Sequence, residues 1–223
     1  MCLCNVHGSL PSDSLFFNNE SLNCLTDTKF LGLVIDNKLK FNKHIESICS
    51  KISKTIGILF RLSSSSTVPQ SSLKLIYYSL IHPFILYCLP IYAATNDIHI
   101  HPLITLQKRA VRILNKASFY QHTEPLFYAS NILKFLDQYK LYLAVYIFKN
   151  PEIINTHQRM HSYGTRFREN PLPPFERLRS SQQSVIFNAI KVWNDIPQRI
   201  KESGSVCSFK FQCKCFLIEH YNH

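Results

Sequence analysis

Leu75-Ile-Tyr-Tyr-Ser-Leu-Ile-His-Pro-Phe-Ile-Leu-Tyr-Cys-Leu-Pro-Ile-Tyr-Ala-Ala94 is the most apolar part of the chain, and no charged residue falls between Lys74 and Asp97. Leu73, Ile76, Tyr77, Leu80 and Phe84 recur at helical spacing. That predicts a buried helix bent at Pro83, whose ring removes a backbone donor and crowds the carbonyl one turn back. At about 20 residues the run is also long enough to cross a bilayer. His82, Ser79, two prolines and a row of tyrosines make poor lipid-facing surface, so the core helix is the better reading.

The other segments must supply what packs around it. With 223 residues, of which 46% are hydrophobic and 13% aromatic, a sizeable core is within reach. The 25 Lys and Arg against 14 Asp and Glu give +11, a balance suited to phosphate backbones or anionic lipid heads and equally to a solvated basic surface. The opening Met-Cys-Leu-Cys-Asn lacks the blocks of a secretory signal, so the eight cysteines fit a reducing, intracellular setting, cytoplasmic or nuclear. Cys49 and Cys88 lie in apolar helical patterns and read as small buried hydrophobes. Cys2, Cys4, His7 and Cys24, or Cys207, Cys213, Cys215 and His220, have ligand chemistry for zinc without a standard knuckle spacing.

Upstream, Leu15-Phe16-Phe17 and Leu22 to Leu25 read as short strands about a turn at Asn18 to Ser21. Lys29 to Asp36 reads as a longer strand interrupted, as by a bulge, at Gly32. Asn42 is placed to cap a helix with Glu46 in its first turn. Ile45, Ile48, Ile52, Ile56, Leu59 and Phe60 line one face of that helix. Ser71 or Ser72 starts the apolar helix. His101-Pro102 opens another, with Leu103, Leu106, Ala110, Ile113 and Leu114 as its buried face. Lys108, Arg112 and Lys116 recur every four residues with Arg109 alongside, a basic stripe fit either for solvent or for phosphates. Further helices are expected from Thr123 to Ser130, from Asp137 to Lys149 and from Gln182 to Ile196, with a final one carrying Phe209, Phe211, Cys215, Phe216 and Tyr221. Glu152 to Gln183, basic and proline-rich, reads as irregular linker. The lone Trp193 reads as core. The fold class is therefore mainly α: a helical bundle with a small N-terminal antiparallel β element and a looser C-terminal helical module.

Phe30-Leu31-Gly32-x-x-x-Asp36, then Phe41 and His44-Ile45, Tyr78-Ser79-Leu80-Ile81-x-Pro83 and Tyr87-Cys88 together resemble the reverse transcriptases of non-LTR retrotransposons of the jockey type. Leu106-Gln107-Lys108-Arg109-Ala110-x-Arg112-Ile113, His122-Thr123-x-Pro125-Leu126-Phe127, Asn131-Ile132-Leu133, Tyr139-Lys140-Leu141, His161-x-Tyr163-x-Thr165-Arg166 and Trp193-Asn194-x-Ile196-Pro197 continue the likeness from about residue 14 onward. The resemblance implies a division of the chain: residues 1–37 a palm remnant with the primer-gripping hairpin at Phe30, Leu31 and Gly32, 38–118 a thumb-like helical domain, 119–150 a helical extension, 151–183 a basic linker and 184–223 a C-terminal helical segment. It implies an RNA or DNA backbone, or an RNA/DNA hybrid, as partner, together with the palm of a related polymerase. By the same route Gly32 would admit a nucleic-acid backbone. Magnesium is the parent family's cofactor, and none is expected in this chain.

The chemistry of polymerisation is missing from the residues themselves. Phosphoryl transfer to a primer hydroxyl needs closely placed carboxylates to hold metal ions, and no two of the 14 acidic residues are adjacent. No phosphate-cradling glycine loop or nucleophile elbow is present. The sequence thus points to a polymerase fragment that holds nucleic acid through Phe30, Leu31, Gly32, Lys108, Arg109, Arg112 and Lys116. A stand-alone nucleic-acid or protein-binding module is the alternative, and a membrane protein built on residues 75–94 a weaker one.

Overall fold

The computed structural model describes residues 16–17, 20–21, 25–65, 67–95, 97–156, 171–174, 177, 182 and 184–222. Helices dominate, with two small antiparallel hairpins ahead of them, so the fold is mainly α. In the first hairpin, β1 (Phe16–Phe17) pairs with β2 (Glu20–Ser21). The second strand therefore lies inside the expected turn, ahead of Leu22.

The run from Lys29 to Asp36 is not one strand. β3 (Asp27–Phe30) folds back on β4 (Leu33–Asp36), with Thr28 opposite Ile35 and Phe30 opposite Leu33. The two residues between them, Leu31 at φ 47° and Gly32 at φ 88°, are both left-handed. Two positive φ values in a two-residue loop match the right-handed twist of the strands it joins, so Gly32 serves a tight turn and not a bulge.

α1 (Asn42–Ser63) has no side-chain cap, and Glu46 falls beyond its first turn. Its N-cap is Phe41, at φ 57°. The Asp36 carboxylate instead fixes the loop ahead of the helix: Oδ1 accepts from the backbone N–H of Lys38 and Lys40, each at 3.0 Å, and Oδ2 from that of Phe41 at 2.6 Å. Ile45, Ile48, Ile52, Ile56 and Leu59 are buried as their spacing predicts, while Phe60 is exposed.

The apolar stretch is helical, but it does not bend simply at Pro83. α2 (Gln70–Ile76) begins after Pro69 with no serine cap, runs into a π turn (Tyr77–Ile81), and continues as α3 (His82–Leu86). Cys88, at φ 55°, then breaks it before α4 (Leu89–Tyr92). Leu73, Tyr77, Ile81, Ile85 and Leu89 are all buried, each four residues after the last. Four residues of α-helix overshoot one turn by about 40°, so an unbroken α-helix would swing this row out of the core. The wider turn, closed by His82 N–H on the Tyr77 carbonyl, holds the row in place and makes room for the ring of Pro83. The burial pattern moves with it, and Leu75 and Leu80 face solvent. No helix among the described residues is long and apolar enough to cross a membrane.

α5 (Asp97–Leu114) starts earlier than His101, with Pro102 inside it. α6 (Glu124–Ser130) and α7 (Phe135–Lys149) fall close to expectation, although Thr123 makes no side-chain cap bond. α8 (Glu152–Thr156) occupies the start of the expected linker. Much of the remainder of that linker lies outside the described residues. α9 (Val185–Asp195), capped by Ser184, and α11 (Val206–Glu219), capped by Ser205, both pack on α7, with the short α10 (Gln198–Lys201) between them. Phe209 stacks on Phe148 with ring centroids 4.3 Å apart and lies against Trp193 at 5.9 Å. Trp193 is a core residue. Buried side chains from Leu33 to Tyr221 form one continuous cluster.

Candidate nucleic-acid interface

α5 is fixed by a polar residue that a hydrophobic pattern passes over. Gln107, buried between Leu103 and Ala110, donates from Nε2 to the Tyr77 hydroxyl and to the Leu133 carbonyl, each at 3.0 Å, and its Oε1 accepts from Phe135 N–H at 2.9 Å. One amide thereby joins the π turn, α5 and the start of α7. Burial pushes the Tyr77 phenol pKa up, with the Gln107 bond opposing it. The buried face of α5 comprises Ile100, Leu103, Gln107, Ala110, Val111 and Leu114, while Leu106 and Ile113 are only half-buried.

That rotation sets where the cations go. Lys108 and Arg109 are exposed, and neither takes part in any of the three ion pairs among the described residues. Arg112 is half-buried and occupied: its Nε donates to the Gln121 carbonyl at 3.0 Å, and its guanidinium lies 5.9 Å from the Phe119 ring centre. Lys116 is exposed but off the helix. It sits at φ 51°, with its N–H on the Ile113 carbonyl and that of Ala117 on the Arg112 carbonyl. This pair of bonds ends a helix on a left-handed residue, a place commonly held by glycine. The expected four-residue stripe is therefore interrupted. Lys108 and Arg109 stand on α5, Arg112 braces the loop that follows, and Lys116 caps the end.

The loop from Ala117 to His122 supplies residues the sequence reading missed. Phe119 is 71% exposed and Tyr120 91% exposed, with rings edge-on at 5.3 Å. Two aromatic side chains so exposed beside an arginine are the composition of a base-stacking platform. Their signal was available: adjacent aromatics in a segment with no apolar period.

The hairpin tip stands apart from this surface. Thr95, just before α5, donates to the Lys40 carbonyl at 3.0 Å near the start of α1. Gln70, beyond the end of α1, donates to Asn115 at 3.1 Å beyond the end of α5. The two helices thus run side by side in the same direction with the hairpin at their N-terminal ends. Lys108 lies 11 residues into α5 from Asp97, about 16 Å along the axis. Phe30 and Leu31 are 63% and 78% exposed. Gly32 is itself exposed; a Cβ there would meet the Tyr87 ring at 3.5 Å, an ordinary contact, and the Tyr87 hydroxyl donates to the Leu31 carbonyl.

Metal-holding chemistry does not converge among the described residues, where no group of three or more His, Cys, Asp and Glu is placed to hold an ion. Asp27 pairs with Lys43, Glu124 with Lys134, and Asp137 with Lys140 and the Tyr221 hydroxyl. Asp36 is engaged by backbone N–H groups. Cys213 is buried, its thiol pKa pushed up to about 11 by burial, while Cys215 is half-buried. Cys2, Cys4, His7 and Cys24 lie outside the described residues.

No family model matches the chain, and no solved structure does. Over 127 residues, 55% of its length, it is 28% identical to the RNA-directed DNA polymerase from the mobile element jockey of Drosophila melanogaster. The matched stretch spans 13% of that protein. The chain is thus a distant relative of part of a mobile-element RNA-directed DNA polymerase.

Proposed function

We propose, proceeding from that likeness, that this chain is a reverse-transcriptase-related segment that holds a nucleic-acid backbone and does not itself polymerise. The observation that carries the reading is that exposed Lys108 and Arg109, neither of them in an ion pair, stand on the helix whose following loop presents the exposed rings of Phe119 and Tyr120. Cations track phosphates without reading sequence, and aromatic faces accept any base. Residues 38–118 would then serve as a thumb-like domain on an RNA/DNA hybrid. The hairpin tip at Phe30 and Leu31 would meet the primer end or the palm. Gly32 would act by shaping the turn, since its φ of 88° is one that residues with a Cβ rarely adopt. Metal-dependent phosphoryl transfer would belong to other parts of such a polymerase, in an intracellular setting.

Binding of a fluorescent RNA/DNA hybrid, followed by anisotropy over a salt series, tests this. Phosphate contacts from Lys108, Arg109 and Lys116 give an expected log-log slope of about −2.7, at roughly −0.9 per phosphate neutralised. Lys108→Glu with Arg109→Glu should flatten it, and Arg177→Glu with Arg179→Glu should not. Equal losses in both variants would reduce the binding to bulk charge. Primer extension on an RNA template with magnesium or manganese is expected to be absent, and template-dependent incorporation by the pure chain would overturn that part.

A further inference from the structure

Away from the cations on α5, one cavity gathers donors from separate parts of the chain. It measures about 250 Å³, lies between the start of α2 and the end of α6, and is lined by Gln70, Ser71, Lys74, Leu114, Ala129 and Ser130. Gln70, Ser71 and Ala129 are exposed and make its mouth, Lys74 is half-buried, and the buried Leu114 and Ser130 make its floor. Both α2 and α6 pack on α5, of which Leu114 is the last residue. Leu114 follows Arg109 by five residues, about 140° round the helix, so the cavity opens on a different side of α5 from Lys108 and Arg109.

Asn115 ties the walls together. Its Oδ1 accepts from Gln70 Nε2 at 3.1 Å, and its Nδ2 donates to the Ser130 hydroxyl oxygen and to the Val111 carbonyl, each at 2.8 Å. The start of α2 and the end of α6 are thereby clipped to the end of α5, and the cavity is formed without a ligand. Lys74 belongs to none of the three ion pairs among the described residues, and no acidic residue lines the cavity. A recessed ammonium ordinarily has an anion beside it. Here it shares the space with the Ser71 hydroxyl and the Gln70 amide, which donate to the same kind of oxygen-rich group. The volume is several times the share of about 30 Å³ that a water takes in the liquid, enough for a tetrahedral oxyanion and the first atoms attached to it.

We propose that this cavity binds a phosphoryl group, with the Lys74 ammonium and the Ser71 hydroxyl as its principal donors and Gln70 at the rim. Free phosphate and the terminal phosphate of a nucleic-acid strand carry the same group, and only the second source rests on the reading of the preceding subsection. The test uses the full chain. Thermal shift is followed in inorganic phosphate against chloride at matched ionic strength, and anisotropy with single-stranded RNAs that end in a phosphate or in a hydroxyl and carry the label at the other end. Phosphate should raise the melting temperature of the parent, and Lys74→Gln should weaken phosphate binding about tenfold. Ala129→Leu, which narrows the mouth and leaves every donor in place, should do the same, and both variants should melt with the parent in chloride. Lys108→Gln with Arg109→Gln should keep the phosphate response. A preference for the phosphate-ended RNA, lost in Lys74→Gln, would assign the strand end as the source, while equal binding of the two RNAs with the phosphate response intact would assign free phosphate. A folded Lys74→Gln that responds like the parent, or a parent with no preference for phosphate in either assay, would overturn the proposal. So would a matching loss in Lys108→Gln with Arg109→Gln, which would reduce the response to bulk charge. Hybrid binding unaffected by that double variant would overturn the α5 contact alone.

Discussion

α1 and the chain from Gln70 to Tyr92 line the same core with a similar row of branched and aromatic side chains, yet only α1 is an uninterrupted α-helix. In α1 the buried isoleucines at 45, 48, 52 and 56 mix steps of three and four, which keeps them within one stripe of a 3.6-residue helix. From Leu73 to Leu89 every step is four, and the backbone departs from α geometry to keep the row inward. Where the pattern fits the helix, side-chain packing alone holds it. Where it does not, hydrogen bonds from elsewhere are needed, and Gln107 on the Tyr77 hydroxyl is one of them.

The largest expected effects probe that contrast directly. Gln107→Ala strands Phe135 N–H and the Leu133 carbonyl in the core and leaves the Tyr77 hydroxyl unpaired there, so a loss of about 3–5 kcal/mol in urea unfolding is expected. Ile52→Ala should cost about 2–5 kcal/mol by cavity formation alone. The two differ in how they are rescued: Ile52→Val should recover most of the loss on α1, while Gln107→Leu, apolar and similar in size, should recover little. If Gln107→Leu proves as stable as the parent, packing and not hydrogen bonding holds the irregular segment.

A smaller effect is expected at the hairpin. Gly32→Ala forces a Cβ into left-handed backbone, at a cost of roughly 1–2 kcal/mol, and Tyr87→Phe removes one hydroxyl bond, about 1 kcal/mol. The Cβ would approach the Tyr87 ring only to ordinary contact, so the two losses should be nearly additive in a double-mutant cycle. Strong coupling would mean that the ring, and not φ, dictates glycine here.

The smallest effect concerns pH. His44, on α1, and His82, on the irregular segment, both have pKa values lowered first by burial. The unfolded chain therefore binds protons at higher pH than the folded one. The stability due to the neutral rings is complete above pH about 6.5 and lost as pH falls through the folded values. Denaturant midpoints should fall on acidification below that point, less steeply in His44→Gln and in His82→Gln. A midpoint that rises on acidification would contradict the sign.

Much of this was legible in the residues, and the misreadings share a cause. α1 was plain because isoleucine spacing is a direct image of packing. The β3–β4 turn was hidden because Leu31, a left-handed residue with a branched side chain, continues the apolar run and gives no turn signal. Asp36 looked like a strand end, since its three backbone partners follow it by two, four and five residues, a reach no local capping rule covers. Lys116 extended the cationic spacing in the sequence, but α5 ends just before it without the expected glycine. Gln107 broke the apolar pattern and was passed over for that reason, although a polar residue within a buried face is where a junction of several elements is made.

The β3–β4 hairpin is held at more than one point along its length. Asp27 reaches Lys43 near the first turn of α1, Asp36 clasps the backbone leading into that helix, and the Leu31 carbonyl at the tip receives the Tyr87 hydroxyl from the end of α3. Mechanically it is a beam clamped at its root and propped at its free end. A load placed on Phe30 or Leu31 would be shared between α1 and α3 instead of swinging the strands about their base, so displacement at the tip and strain in the π-turn segment would rise together.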